Sequence, residues 1–362
     1  AGSPSAEEFP VRELSEAAER VFSAQGTAAL SYGVTEGYQP LRQWITDALC
    51  REQICSEGDD VIVISGGQQA LDFTAKCLID EGDTVLVEAP TFLNALNTFR
   101  TYGARLAGVP MDEEGMDMDA LEQALQKEPR VKFIYTIPNF QNPMGVTMSA
   151  ARRSQLYTLA EQYDVMILED DPYGKLRYSG EPVAAVKTLD QGKRVIYTSS
   201  FSKIIAPGIR VAYLCAPKEL MAKMVVAKQC VDVHTNMISQ LLVYDYLTHY
   251  DLEEHVRVCC EHYRKKRDAM LAAVERAFPV GVSVTQPEGG LFLWATLPEG
   301  YSGMEFYQRV VEAGVAPVPG APFFADNMPD DRGMRLNFSV PSIQQIEEGI
   351  ARMGEELRTF IQ

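Results

Sequence analysis

Five short runs of β-branched, aliphatic and aromatic residues, at 61–64, 84–88, 131–136, 165–168 and 194–198, constrain this chain more than any other feature. Each reads as a buried strand, and helical periodicity follows most of them. Strands that alternate with helices build a mostly parallel sheet with right-handed crossovers. Open sheets of this kind place their ligands just beyond the carboxyl ends of the strands. The turns after the five runs are therefore where chemistry is to be sought.

The turn after 194–198 is Ser199-Ser200-Phe201-Ser202-Lys203, followed by Ala206-Pro207-Gly208-Ile209-Arg210. Two hydroxyls and a guanidinium suit a phosphate dianion, and a lysine among them points to a Schiff-base cofactor. An isolated S-x-S-K would be an ordinary surface turn, so the other turns matter. After 61–64, Ser65-Gly66-Gly67-Gln68 runs straight into a helix to about residue 78. Free N–H groups at a helix start bind anions and glycines allow close approach, which makes Gly66, Gly67 and Gln68 a candidate phosphate cradle. Run 84–88 ends at Ala89-Pro90-Thr91-Phe92, where a core phenylalanine is the plain reading. Run 131–136 leads to Asn142-Pro143-Met144-Gly145, and Asn before Pro is a good turn starter. Run 165–168 ends in Glu169-Asp170-Asp171-Pro172-Tyr173, which on composition is a solvated loop or a helix cap.

Ser200-Phe201-Ser202-Lys203 with Ala206-Pro207-Gly208-x-Arg210 resembles the lysine signature of the class I/II aminotransferases, pyridoxal-phosphate enzymes of fold type I. Tyr32-x-x-Thr35-Glu36-Gly37-Tyr38-x-Pro40-Leu41-Arg42, Asn142-Pro143-x-Gly145 and Asp170-x-x-Tyr173 extend the likeness over nearly the whole chain. It looks closest to the 2-aminoadipate and aromatic aminotransferase branch, which also supplies the effector domain of some GntR-type bacterial regulators.

The resemblance implies a role for each residue. Lys203 would hold pyridoxal 5'-phosphate and serve as general base and acid, and Ser200, Ser202 and Arg210 would join the cradle around the phosphate. Asp170 would pair with the pyridine nitrogen and keep it protonated, with Asp171 the alternative if the register slips by one. Asn142 and Tyr173 would bond the ring's phenolic oxygen, and Asn142 would also border the substrate. Phe92 would stack on the ring where the family usually has Tyr or Trp, keeping the π-face but losing the polar tip. Met144 departs from the family's usual Thr. Tyr32 would reach the phosphate of a neighbouring subunit, which implies a homodimer with shared sites; a loop tyrosine is otherwise merely half-buried packing. Arg335 would grip the substrate α-carboxylate, although an arginine entering a strand is ordinarily a surface residue.

The expected fold is α/β, of the fold-type I pyridoxal-phosphate transferase kind. A large domain over 36–252 carries a mostly parallel sheet of the seven-stranded type, and a small α+β domain is built from both chain ends, 1–35 and 253–362. Within the latter, an amphipathic helix over 7–25 is expected to end at Gly26, and a long charged helix spans about 251–278. Short strands follow at 289–295 and 333–338, with helices near 304–313 and 343–360. No internal repeat is visible.

Composition narrows the function classes. With 33 basic against 50 acidic residues the net charge is −17, which opposes binding to nucleic acid or anionic membranes. No apolar stretch approaches the roughly 18 residues of a membrane helix, and no signal pattern opens the chain, so a cytoplasmic protein is expected. Ala1 in place of an initiator methionine suggests that native residues precede it. Seven scattered cysteines argue against a secreted disulfide framework, and the spacing of His255, Cys259, Cys260 and His262 matches no zinc pattern, so no metal is expected. The expected activity is ping-pong amino transfer from an L-amino acid to a 2-oxo acid, with 2-oxoglutarate the candidate acceptor. Two alternatives keep the same cofactor residues: a lyase or synthase of this fold, and the effector domain of a GntR-type regulator, which requires an N-terminal winged helix.

Overall fold

The computed structural model describes residues 2–325 and 330–361. Its large sheet is formed by β1 (Asp59–Ile64), β2 (Thr84–Ala89), β3 (Arg105–Asp112), β4 (Gly115–Met116), β5 (Val131–Thr136), β6 (Met166–Asp170), β7 (Val195–Ser200) and β8 (Ala212–Pro217). Their order is β1-β8-β7-β6-β5-β2-β3-β4. All five expected runs are strands. The sheet has eight strands where the seven-stranded type was expected, because the two-residue β4 folds back on the end of β3.

The strands β7, β6, β5, β2 and β3 run parallel, while β8 is antiparallel to both β7 and β1. That double reversal leaves β1 pointing the same way as β7. The carboxyl ends of β1, β2, β5, β6 and β7 therefore share one edge of the sheet.

Period-two alternation divides the core. In β5, Phe133 and Tyr135 pack with Phe99 on one face, whereas Ile134 packs with Leu121 and Leu156 on the other. Phe99 meets both rings edge-on at 5.2 and 5.5 Å, contacts of about 0.5–1.5 kcal/mol each beyond area burial. The helices of the first part of the chain are α1 (Val11–Ala29), α2 (Gln39–Arg51), α3 (Gly67–Leu78), α4 (Leu93–Thr101), α5 (Met118–Lys127), α6 (Ala150–Gln162), α7 (Lys218–Gln229) and α8 (Met237–His249).

Helix α1 differs from expectation at both ends. Pro10 sits at its N-cap, so the helix starts at Val11 after a separate turn at Ala6–Glu8. Gly26 does not end it; Gln25 is kinked to φ −134° and the helix continues to Ala29. Burial of Val21 and Ala29 against Leu241 of α8 outweighs the cost of a glycine within the helix, about 1 kcal/mol.

The 26-residue helix α9 (Leu252–Ala277), capped by the Asp251 side chain on the Glu254 N–H, leads to the second sheet. That sheet, in order β11-β12-β10-β9, consists of β9 (Ser283–Val284), β10 (Phe292–Thr296), β11 (Val318–Pro319) and β12 (Gly333–Asn337), antiparallel throughout. Helices α10 (Gly303–Glu312) and α11 (Ile343–Phe360) accompany it, with α11 packed along α9. The strand expected from 289 begins only at Phe292, because Gly289 and Gly290 turn there, Gly290 at φ +71°. The N-terminal residues divide between the two parts: Ser5 N donates to Tyr263 Oη and Ser339 Oγ to Ser3 O, whereas α1 lies on α8.

Candidate active site

Lys203 ends the single helical turn Phe201–Lys203 that directly follows β7. Ser200 shapes the turn: its Oγ accepts from Ser202 N at 3.0 Å and donates to Ser202 Oγ at 2.8 Å, so two buried hydroxyls sit side by side. Beyond it Arg210 adopts φ +57° and donates to Ser65 O at 3.1 Å, which ties the β7 turn to the end of β1. Gly66, at φ +95°, lies directly beneath that guanidinium; a Cβ there would come within 2.0 Å of Arg210 Nη2. Only glycine fits this position. Gly67 opens α3 with nothing within 4 Å of a would-be Cβ, so the helix start faces open space beside Arg210. Gln68, whose side-chain amide donates to Thr98 Oγ1, borders the same opening. A pocket of about 580 Å³ opens on this side, bounded by Ser65, Gln68, Asp72, Asn97, Thr98 and Arg210.

Lys203 and Asp170 lie deeper than that pocket. Asp170 ends β6 and is 7% exposed, with Oδ2 accepting from Tyr135 Oη at 2.9 Å. Burial pushes its carboxyl up to about 7, opposed by the Tyr135 hydrogen bond and the nearby Lys203 charge. Asp171 is spoken for: Asn139 Nδ2 donates to Oδ1 at 2.9 Å and Tyr197 Oη to Oδ2 at 3.0 Å. Burial also pulls the Lys203 amine down to about 8, helped by the Arg335 and Arg210 charges and resisted by Asp170. Its Nζ donates to Gly2 O at 2.8 Å and sits 5.9 Å from the centre of the buried Tyr173 ring. The segment at Gly2 thus lies over Lys203, in the cleft between the two sheets.

Arg335, in β12, reaches the same place from the small sheet. It is 7% exposed, lies 4.4 Å over the Phe292 ring and 5.2 Å from that of Phe323, and donates through Nη1 to Asn142 Oδ1 at 2.8 Å. Its buried Nε has no partner among the described residues. A planar cation held by two aromatic rings, with its Nε–H unspent, is shaped for a carboxylate. One amide thus ties the loop after β5 to the guanidinium from the small sheet.

The loop that carries Asn142 is held from below. Gln141 Nε2 donates to Glu88 Oε2 at 2.9 Å and to Pro90 O at 2.8 Å, and buried Arg153 donates to Pro138 O and Asn139 Oδ1 at 2.9 and 2.7 Å. Phe92, at the N-cap of α4, is half-buried against the large core. Tyr32 stands apart from the cluster, 90% exposed with its ring edge-on to His234 at 5.8 Å.

Sequence reasoning missed Gly2, Tyr135, Glu88 and Gln141. Each lies in a stretch read only as core, turn or terminus, and the one available signal was an acid, Glu88, closing an apolar strand. It also treated the cysteines as scattered, whereas Cys55, Cys215 and Asp59 meet in the core. Asp59 is already engaged there, with Oδ1 taken by Lys187 at 2.7 Å and Oδ2 by Ser56, so the group reads as an ion pair beside two thiols.

These observations fit pyridoxal 5'-phosphate. A half-buried amine pulled down to about 8, a carboxyl with one oxygen unpaired among the described residues, and a glycine–arginine–helix start for a phosphate are the groups such a cofactor needs. The class of protein they define is a lysine-anchored pyridoxal-phosphate enzyme of the α/β type.

The class I and II aminotransferase family model matches residues 2–353. The aromatic-amino-acid aminotransferase 1 of Thermococcus litoralis is 45% identical over 99% of this chain and 87% of its own length. A crystal structure of Pyrococcus horikoshii kynurenine aminotransferase, 40% identical, superposes with a TM-score of 0.97 over 100% of this chain and 90% of that one. The α-aminoadipate aminotransferase LysN of Thermus thermophilus, solved with N-(5'-phosphopyridoxyl)-L-leucine, is 39% identical with a TM-score of 0.92, covering 100% of this chain and 92% of that one. The chain belongs to the class I and II aminotransferases. It is a pyridoxal-phosphate-dependent enzyme of fold type I that moves amino groups between amino acids and oxo acids, and the lyase and regulator readings give way to this one.

In the apoprotein, Lys203 should react with amine-directed reagents at a rate that climbs through about pH 8, against an ordinary lysine value of 10.5. The sign follows from the neutral amine being the nucleophile, so a lowered value exposes it at lower pH. Mass-spectrometric quantitation of labelled Lys203, from about two pH units below the lowered value to about one above the ordinary one, measures it; titration at the ordinary value would refute a depressed amine.

Proposed function

We propose that Lys203 is the residue that holds pyridoxal phosphate and carries the proton in a ping-pong amino transfer, with 2-oxoglutarate as the amino acceptor. The observation that supports this most is the meeting of Lys203, Asp170 and Arg335, from three separate segments, in one buried cleft. Bound pyridoxal phosphate supplies an electron sink for the charge left at the substrate's Cα when its proton departs. Lys203 Nζ takes that proton and returns it one carbon away, a task suited to an amine poised near working pH. Asp170 stays ionised opposite the ring nitrogen, a pairing that adds to the Tyr135 hydrogen bond and the Lys203 charge in offsetting the cost of its burial. Asn142 and Tyr173 orient the ring oxygen, Phe92 covers the ring face, and Gly66, Gly67, Gln68, Ser200, Ser202 and Arg210 receive the phosphate. Arg335 holds the α-carboxylate of donor and acceptor in turn, with Asn142 fixing its fork.

The enzyme works as a homodimer in which Tyr32 of one copy completes the phosphate site of the other. Leu30, Tyr32 and Val34, at 74%, 90% and 58% exposure, form an apolar run that a second copy would cover. The division into a large domain at 36–252 and a small one at 1–35 and 253–362 belongs to this reading, with substrate held between them. A cytoplasmic location is supported by the seven free cysteines and the strongly acidic balance. No helix among the described residues is long and apolar enough to cross a membrane.

Lys203→Ala should abolish the yellow colour of the purified protein and nearly all turnover; a variant that stays yellow and active would overturn the assignment. Arg335→Lys keeps the charge but loses the fork, and Arg335→Ala leaves a desolvated carboxylate unpaired, a cost of about 2–5 kcal/mol or roughly thirtyfold to several thousandfold in kcat/KM. Both half-reactions should suffer alike in single-turnover measurements, with the resting spectrum unchanged. Tyr32→Phe should weaken cofactor retention by about 1.5–3 kcal/mol without lowering thermal stability of the apoprotein; a fully active monomer in sedimentation analysis would exclude the shared site.

A further inference from the structure

We infer that Tyr135 is a positioning residue for the reaction: its phenol holds Asp170 in one orientation and in its ionised form opposite the cofactor's ring nitrogen. This rests on the proposed role of Asp170 and adds a residue that acts only through it. Tyr135 lies on β5, the strand beside β6, and both groups are buried at the shared carboxyl edge. The phenol donates to Oδ2 at 2.9 Å, which leaves Oδ1 as the oxygen available to a cationic N–H. The ring is wedged edge-on against Phe99 at 5.5 Å, so the hydroxyl cannot swing away without moving the core.

The phenol remains a donor throughout the working range. Burial and the Asp170 charge push Tyr135 well above its ordinary value, with Glu88 on β2 and Tyr173 beyond β6 adding to the push. Around Asp170 itself, Asp171 favours the protonated acid whereas Lys203 favours the carboxylate. Among these neighbours, the Tyr135 hydrogen bond is the largest contribution that keeps Asp170 ionised. A hydrogen bond to a charged group strengthens as the environment dries, because no water competes for the oxygen.

Tyr135→Phe removes one oxygen and keeps the ring packing. With Asp170 less readily ionised, the ring nitrogen of the bound cofactor carries less positive charge. The pH midpoint of the holoenzyme's visible absorbance should then rise by roughly one unit, since the proton on the Lys203 nitrogen is repelled less. Cofactor affinity and the single-turnover rate with an amino acid should each fall about tenfold, whereas the half-saturating amino-acid concentration stays within about twofold because Arg335 is untouched. In an Asp170→Asn background, Tyr135→Phe should change the midpoint no further, a non-additivity that a purely structural tyrosine would not give. An unchanged midpoint in Tyr135→Phe beside a shifted one in Asp170→Asn overturns the inference and leaves the Asp170 assignment standing. Unchanged midpoints in both variants overturn both, and an equal further shift in the double variant marks Tyr135 as structural only.

Discussion

Desolvation at the carboxyl edge of the large sheet governs this molecule. Five strand ends that point the same way gather a half-buried lysine, a buried aspartate and several hydrogen-bonding turns into one place of limited access to water. The same burial lowers Lys203 and raises Asp170, moving both toward neutrality. Each group is thereby left short of the interaction that would favour its charged form, and a ligand with a cationic ring N–H and an anionic tail supplies what is missing.

The small sheet matters because it brings a cation to that edge from the far side. Arg335 lies on β12, 132 positions after Lys203 in the chain, yet the two are electrostatically coupled in the structure. Phe292 and Phe323 hold the guanidinium plane, Asn142 takes one N–H, and the unpartnered Nε–H lies on an edge open to a carboxylate. The N-terminal segment closes the same cleft: Gly2 O accepts from Lys203, and a Cβ on Gly2 would stand 3.2 Å from Phe292 and 3.7 Å from Arg335. Residues from the start, middle and end of the chain therefore border one reaction volume, and motion of the small sheet relative to the large one would alter the grip on substrate and the environment of Lys203 together.

Beneath the Lys203, Asp170 and Asn142 cluster lies a layer of buried polar residues. Arg153 pins the backbone of the loop before Asn142, Gln141 is clamped between Glu88 and Pro90, and Tyr135 holds Asp170. Burial pushes Glu88 up to about 7, and its three protein donors, Thr136 Oγ1, Ile137 N and Gln141 Nε2, offset part of that cost. Rigid support of this kind lets a loop, ordinarily mobile, present the Asn142 amide at a set position.

Local sequence was enough for the strand runs, the turn after β7 and the acid pair at the end of β6, because period-two apolar patterning and glycine or proline punctuation are short-range signals. It also placed α9 and α11 to within a residue or two, since each carries its own cap and long amphipathic stripe. It was not enough where tertiary burial overrode local preference. Gly26 reads as a helix stop and lies inside α1, and β4 is too short to leave a pattern. The choice between Asp170 and Asp171 also needed the fold: adjacent side chains on an extended strand end point to opposite faces, and only packing against Tyr135 on one side and Tyr197 on the other decides which carboxylate meets Lys203. Amino-acid order thus determined which chemical groups stand at the strand ends, whereas the pairing of strands distant in sequence decided which of them share a dry space, because charge, hydrogen bonding and reactivity there depend on neighbours that the chain brings from far away.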